Sequence, residues 1–284
     1  MLLLQAFVLG LVQGLTEFIP VSSSGHLQAI PFLFGWAPGS LAFDVALHVG
    51  TLVAVIAVFR ADLWDMARAA LQPQDTERRG ARHLLILLAV ASVPAAFVGV
   101  AARGLISAAF EQPLIVAAFL CVTAGLLWWS ERRRIALGTV EPAAYDVVAV
   151  GAELDAMSWR GALGVGAAQA LAILPGVSRS GATIAAGLSL GLSRGAAARL
   201  SFLMLLPVTV GAALVTLPEL ATLEPGTLTF GPTEIAVGVT VSAVSGYLAI
   251  RFLLALVARR SLVIFARYVL VLAAALVVTS VVRG

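Results

Sequence analysis

Two short runs hold most of the chemistry available to this 284-residue chain. The first reads Gln13-Gly-Leu-Thr-Glu17-Phe-Ile-Pro20-Val-Ser22-Ser23-Ser24-Gly25-His26; the second reads Pro175-Gly176-Val177-Ser178-Arg179-Ser180-Gly181-Ala182-Thr183. Together they supply a carboxylate, an imidazole, a guanidinium and a crowd of hydroxyls. Arg179 is permanently charged and can meet a phosphate with two parallel donors. It stands among Ser and Gly where a returning helix should begin, and exposed N–H groups there favour an anion. The plainer use of Arg179 is a pair with Glu17 that neutralises both. Glu17, just before Pro20, can ligate a hard cation such as Mg²⁺ or Ca²⁺ or move a proton. His26 follows Ser23 by three residues, on a neighbouring face if that turn is helical. That spacing suits an acid or base serving a serine nucleophile. The serines are the least specific signal, because Ser22 or Ser24 can simply cap a broken helix end.

The surroundings are far too apolar for water. Hydrophobic residues make up 61% and charged residues 12%, with a mean hydropathy of +1.02. A soluble domain carries about 45–50% apolar and about 25% charged residues. The composition excludes a cytosolic enzyme, a disordered regulator and a disulfide-rich module, and predicts an all-α polytopic membrane protein. All basic residues are Arg, and a net charge of +3 scattered between apolar segments fits topology signalling rather than nucleic-acid binding. Cys121 stands alone in an apolar run. Residues 1–16 lack a basic leader and read as part of the mature chain.

Six stretches are long and apolar enough to span a bilayer of about 30 Å: near 42–59, 84–102, 112–130, 196–218, 232–257 and 262–282. Two others, 2–36 and 158–192, are interrupted by Pro, Ser and Gly. Broken backbone at membrane depth persists only inside protein or along a cavity, so both read as re-entrant helical hairpins. Shifting the chain by 156 residues superimposes them without a gap: Gln13 falls on Gln169, Ser22 on Ser178, Ser24 on Ser180 and Gly25 on Gly181. Each half is then a hairpin plus three spans, repeat A over 1–131 and repeat B over 158–284, with a cytoplasmic linker at 132–157. Arg is concentrated in 60–82, 132–160 and 251–267, which marks those segments as cytoplasmic. On that count the halves have inverted topology, and both broken hairpins should meet in one pocket near the midplane. Asp44 and His48 would line its outer vestibule, Trp128 and Trp129 an interfacial belt, and His83 only a cytoplasmic boundary.

The run Gly14-Leu-Thr-Glu17-Phe-Ile-Pro-Val-Ser-Ser-Ser-Gly-His26, the run Pro175–Thr183, and Gly191-Leu-Ser-Arg194 leading to Ser201-Phe202 closely resemble the BacA-type undecaprenyl-diphosphatase family of bacterial inner membranes. The resemblance extends over essentially the whole chain. It implies hydrolysis of undecaprenyl diphosphate to undecaprenyl phosphate and inorganic phosphate for envelope synthesis. It also implies a pocket open to the periplasm, dependence on a divalent cation (Mg²⁺ or Ca²⁺), and a link to bacitracin resistance. By position, Ser23 resembles the proposed nucleophile and His26 its acid–base partner. Arg179 resembles the diphosphate clamp, with Ser22, Ser24, Gly176, Ser178, Ser180 and Thr183 around the substrate. Glu17 and Gln13 would face the metal. Gln13 stands where many members have a Glu, and Arg199 where some have an acidic residue.

The rival class is a transporter that carries an isoprenoid lipid phosphate on the same scaffold, since inverted repeats with broken helices serve many carriers. Ser23, His26 and Glu17 together exceed what anion binding requires. An intramembrane serine protease would have no use for Arg179. A lipid phosphatase whose motif opens with Lys is excluded by the absence of Lys. The runs alone leave open whether Ser23 or a water attacks. Apolar outer faces would serve lipid or a second copy equally, so a homodimer also stays open.

Overall fold

A computed structural model describes residues 1–101, 112–139, 141, 145–220 and 229–283. Position 102, at the end of one expected span, and positions 140 and 142–144 of the linker lie outside the described residues. Among the described residues the chain is all-helical: α1 (Leu2–Thr16), α2 (Ser23–Phe34), α3 (Leu41–Val58), α4 (Arg60–Leu71), α5 (Arg79–Ala101), α6 (Pro113–Ala136), α7 (Val147–Asp155), α8 (Trp159–Leu171), α9 (Arg179–Ser189), α10 (Arg194–Leu220), α11 (Pro232–Arg259) and α12 (Val263–Arg283). Six of these are long and apolar enough to cross a membrane, namely α3, α5, α6, α10, α11 and α12. They coincide with the six expected spans, and the chain is a multi-pass membrane protein.

The two interrupted stretches are each a pair of short helices. In the first, α1 ends at Thr16 and α2 begins at Ser23; in the second, α8 ends at Leu171 and α9 begins at Arg179. The same device starts both returning helices. Ser22 Oγ accepts from Gly25 N at 3.1 Å, and Ser178 Oγ accepts from Gly181 N at 3.0 Å. Such caps satisfy amide groups that a helix start leaves without partners. Ser22 has φ +69°, the only non-glycine in the left-handed region among the described residues. That conformation is costly for a residue with a Cβ, and it marks a chain reversal held by its surroundings.

Small residues bring the helices close, as expected where lipid replaces water. A Cβ on Gly10 would collide with the Gly238 carbonyl, and one on Gly14 with Ser245 Oγ, so α1 lies almost backbone to backbone against α11. Gly166 seats α8 on the Ala91 carbonyl of α5 in the same way. Between these pairs runs the first half of α10, buried continuously from Arg194 to Leu205. Phe18, at the first break, meets Phe202 of α10 edge to face with ring centroids 5.2 Å apart.

Two segments differ from the sequence expectation. Residues 60–82, read as an Arg-rich loop, contain α4, which buries Met66 and Ala69 and leaves Trp64 and Leu71 exposed. The linker 132–157 contains the end of α6 and the whole of α7, whose N-cap Asp146 accepts from Val148 N at 2.9 Å. Interspersed charges hid α4, and its nine-residue length hid the mainly apolar α7, from a reading based on apolar length.

Candidate active site

Glu17 is the hub of the site. It lies one residue past α1, where Gly14 has let the helix press against α11, and it is 6% exposed. Its Oε1 accepts from Arg179 NH2 at 2.6 Å, joining residues 162 positions apart. Its Oε2 accepts from Gln13 Nε2 at 2.9 Å and from the Ser23 hydroxyl, and lies 3.4 Å from His48 Nε2. A carboxylate taken this far from water requires such partners.

Arg179 is the first residue of α9, where the chain must turn sharply out of the break. Gly176 has φ +96°, and a Cβ there would lie 2.5 Å from the Val116 carbonyl. Thr123 of α6 staples this turn: its hydroxyl donates to the Gly176 carbonyl at 3.0 Å and accepts from Ser178 N at 2.9 Å. The guanidinium is then aimed by two acceptors, Glu17 Oε1 and, at 2.8 Å from NH1, the Ser201 carbonyl. Thr183 donates to Ser201 Oγ at 2.7 Å. Ser180 donates to the Ile19 carbonyl at 3.0 Å, tying the second tip directly to the first. Ser178 and Ser180 hydroxyls lie 3.3 Å apart, as do those of Ser22 and Ser24.

The expected residues are therefore brought together with one exception. Glu17 joins Gln13, Ser23 and Arg179 directly, Thr183 donates to the Arg179 carbonyl at 2.8 Å, and Ser22 and Ser178 cap the two adjoining turns. His26 does not bond Ser23. Its Nδ1 sits 2.7 Å from the Ser22 carbonyl and its Nε2 2.8 Å from the Tyr268 hydroxyl of α12. Asp44 lines a cavity of about 530 Å³ together with Gln28, Phe32, Trp36, Ser40 and Leu276. His48, one turn further along α3, points instead at Glu17. His83 bonds the Met157 carbonyl, far along the chain from either tip.

Three contributors escaped the sequence reading of the site, Thr123, Ser201 and Tyr268, while His48, expected along the outer vestibule, lies closer in against Glu17. Ser201 sits in a run that drew notice without a role. The others carry no local signal, because helix packing alone brings them in.

A family model described as "Bacitracin resistance protein BacA" matches residues 6–275. The chain belongs to the BacA family. Its relatives align from end to end. An undecaprenyl-diphosphatase of Moorella thermoacetica is 43% identical over 98% of this chain and 97% of its own length. "Undecaprenyl-diphosphatase 2" of Stutzerimonas stutzeri is 41% identical over 97% of each chain. An undecaprenyl-diphosphatase of Methanosphaera stadtmanae is 36% identical over 99% of each. The BacA match covers both helix breaks, so the Glu17–Arg179 junction lies within the matched region.

Among the described residues, no three His, Cys, Asp or Glu side chains gather as a cation cage. A hard cation with few protein ligands is held by one or two carboxylates plus waters and substrate phosphates. Glu17 provides one carboxylate, and beside it the buried Gln13 Oε1 has no hydrogen-bond partner. One anionic and one free neutral oxygen fit such a cation.

Proposed function

We propose that this BacA-family chain is an undecaprenyl-diphosphatase, hydrolysing undecaprenyl diphosphate to undecaprenyl phosphate and inorganic phosphate at the junction of Glu17 and Arg179. The observation that carries the reading is the convergence of Ser23 and Arg179 on the two oxygens of one buried carboxylate. End-to-end similarity to relatives of that name supports the substrate.

The paired helices at 2–36 and 158–192 act as re-entrant hairpins of an inverted repeat, each followed by three spans. Matching Ser caps at the two tips and the 156-residue correspondence support this. The Arg-rich segments face the cytoplasm and the pocket opens to the periplasmic side of the inner membrane, following the bias of Arg.

In the reaction, Arg179 exchanges its contact with Glu17 for the diphosphate, assisted by Ser178, Ser180, Thr183, Ser22 and Ser24 and by free N–H groups at the start of α9. Ser23 Oγ attacks the terminal phosphorus while Glu17 Oε2 takes its proton. The bridging P–O bond breaks and undecaprenyl phosphate leaves. Water then attacks the phosphoserine, His26 accepts its proton, and Ser23 regains the proton held by Glu17 as phosphate departs. Positive groups fixed in a dry site where phosphoryl charge accumulates supply the largest rate factor. A divalent cation held by Glu17 and Gln13 would add Lewis-acid stabilisation of those oxygens.

The test is phosphate release from undecaprenyl diphosphate by detergent-purified protein, with and without a chelator. Wild type should release phosphate, lose that activity on chelation and regain it with Mg²⁺ or Ca²⁺. Ser23→Ala should be inactive while still binding lipid. A fully active Ser23→Ala would assign the attack to water. Binding of the lipid with no release under any metal would leave a carrier rather than a phosphatase.

A further inference from the structure

The arginines of this chain are spent in two ways. Some hold the protein together: Arg78 meets Asp65 and Asp75, Arg134 and Arg194 meet Glu131, and Arg199 meets Asp62. Arg68, Arg132 and Arg160 are used differently. All three are exposed, and among the described residues no carboxylate lies within ion-pair distance of them. Each lies instead over an indole ring: Arg68 is 4.8 Å from the Trp64 centroid, Arg132 5.5 Å from that of Trp128, and Arg160 5.3 Å from that of Trp159. Those rings are themselves open, between 46% and 60% exposed. The three pairs gather at one end of the helix bundle. Asp62 and the Val147 carbonyl both accept from Arg199 in the first turns of α10. The Met157 carbonyl lies 2.8 Å from His83 Nε2 near the start of α5. Glu131 ties the end of α6 to the starts of α10 and α12, through Arg194 Nε and Leu262 N. Trp64, Trp159 and Trp128 stand two or three residues from Asp62, Met157 and Glu131 respectively.

We propose that these Arg–Trp pairs are headgroup sites for anionic phospholipid, each seating one lipid phosphate. The proposal does not depend on the diphosphatase reading. An indole settles at the level of the lipid headgroups, its apolar body inward and its polar edge toward water. A guanidinium stacked on that ring gives up one flat face and keeps its edge of N–H donors, which match a phosphate with two parallel bonds. Each pair therefore presents an unspent positive fork at the depth where lipid phosphates lie. A zwitterionic lipid also carries a phosphate there, but its own ammonium offsets the charge. An anionic lipid leaves a net negative charge for the arginine. A soluble anion would have no use for the rings. Arg283 provides the contrast. It too lies over an aromatic ring, 5.4 Å from that of Phe32, but its fork is filled by the Phe32 and Leu33 carbonyls and has nothing left for a phosphate.

Tryptophan fluorescence is measured for the full chain in vesicles of phosphatidylcholine containing a minority of phosphatidylglycerol. Two samples have the same headgroup composition and differ only in which lipid carries bromine near the carbonyl end of its acyl chains. Bromine quenches an indole it touches, so the tryptophans report their own lipid neighbours. In wild type the association constant for phosphatidylglycerol should exceed that for phosphatidylcholine about fivefold, the factor that one arginine near a membrane surface supplies. In the triple variant Arg68→Gln, Arg132→Gln, Arg160→Gln the two constants should agree within about twofold. A second triple variant, Arg60→Gln, Arg79→Gln, Arg133→Gln, removes the same charge from exposed positions of the same segments, where no guanidinium lies over an indole. It should keep a preference within about twofold of wild type, because charge at a distance is screened by salt. Thermal midpoints of both variants should stay near wild type, since the substituted side chains are exposed. Equal quenching by the two labels in wild type would overturn the proposal. So would a preference that survives in the first variant, or one lost equally in both, which would assign it to net charge alone.

Discussion

Two buried arginine–carboxylate junctions hold distant parts of this chain together, and they are built differently. At the end of α6, Glu131 is closed on all sides. Its Oε1 accepts from Arg194 Nε at 2.9 Å and from Leu262 N at 2.8 Å; its Oε2 accepts from Arg194 NH2 at 2.8 Å and from Arg134 Nε at 3.3 Å. The arginine fork is used in full, and Glu141 closes over the start of α10 by accepting from Arg194 N at 3.2 Å. The Glu17–Arg179 junction uses a single guanidinium nitrogen, spends another on the Ser201 carbonyl, and has Gln13 Oε1 beside it without a partner. The bidentate junction is the stronger and more specific geometry. The single-contact one can be opened by an incoming anion without unmaking the fold. A buried ion pair by itself thus says little about function; the partners left free around it say more.

The largest effect should follow from Glu17→Gln. It removes the acceptor shared by Arg179 and Ser23, and turnover of undecaprenyl diphosphate should fall at least ~10³-fold, the scale of losing a proton acceptor in phosphoryl attack. Near-normal turnover in this variant would show that the junction is not the reaction centre. Next in size, Glu131→Ala leaves Arg194 buried without its partner and should cost about 3–5 kcal/mol of stability. Activity per folded molecule should be kept. Thermal unfolding in detergent reads the first quantity, and an unshifted midpoint would erase the contrast between the junctions. Gln13→Leu should raise the divalent-cation concentration needed for half-maximal activity about tenfold, a typical loss when a metal site is weakened by one interaction. An unchanged metal requirement would place the cation elsewhere. The smallest effect belongs to Asp62→Asn. Asparagine keeps an oxygen acceptor for the buried Arg199 guanidinium, and the Asp62 side chain is partly open to solvent, so the change should cost about 1 kcal/mol. A larger loss would make α4 an essential brace of α10.

The chain's amino acids announced some of this arrangement and concealed the rest. Proline, serine and glycine clustered inside apolar stretches gave away both helix breaks, and the plainer use of Arg179, a pair with Glu17, is the contact the structure holds. Apolar length, broken by few charges, located the six spans. The helix α4 went unread because its charges, spaced for a half-buried helix, look like a polar loop beside longer apolar runs, and α7 because nine residues are too few to stand out as a span. Tyr268, Thr123 and Ser201 were invisible as partners for a different reason. Each reaches the site by helix packing across long stretches of chain, 242 residues in the case of Tyr268 and His26. Tyrosine or threonine in an apolar helix is too common to stand out. His48 left a faint trace, one helical turn beyond Asp44, but its direction toward Glu17 depends on how α3 packs.

The central claim is that the open junction performs the chemistry and the closed one holds the fold. It is tested most directly by comparing Arg179→Ala with Arg194→Ala in one experiment that records phosphate release per folded molecule together with the thermal midpoint. Arg179→Ala should abolish release while lowering the midpoint less than Arg194→Ala does, because Gln13, Ser23 and His48 still face Glu17; Arg194→Ala should lower the midpoint sharply while the folded fraction still turns over. Release retained in Arg179→Ala, or abolished in a fully stable Arg194→Ala, would contradict the account.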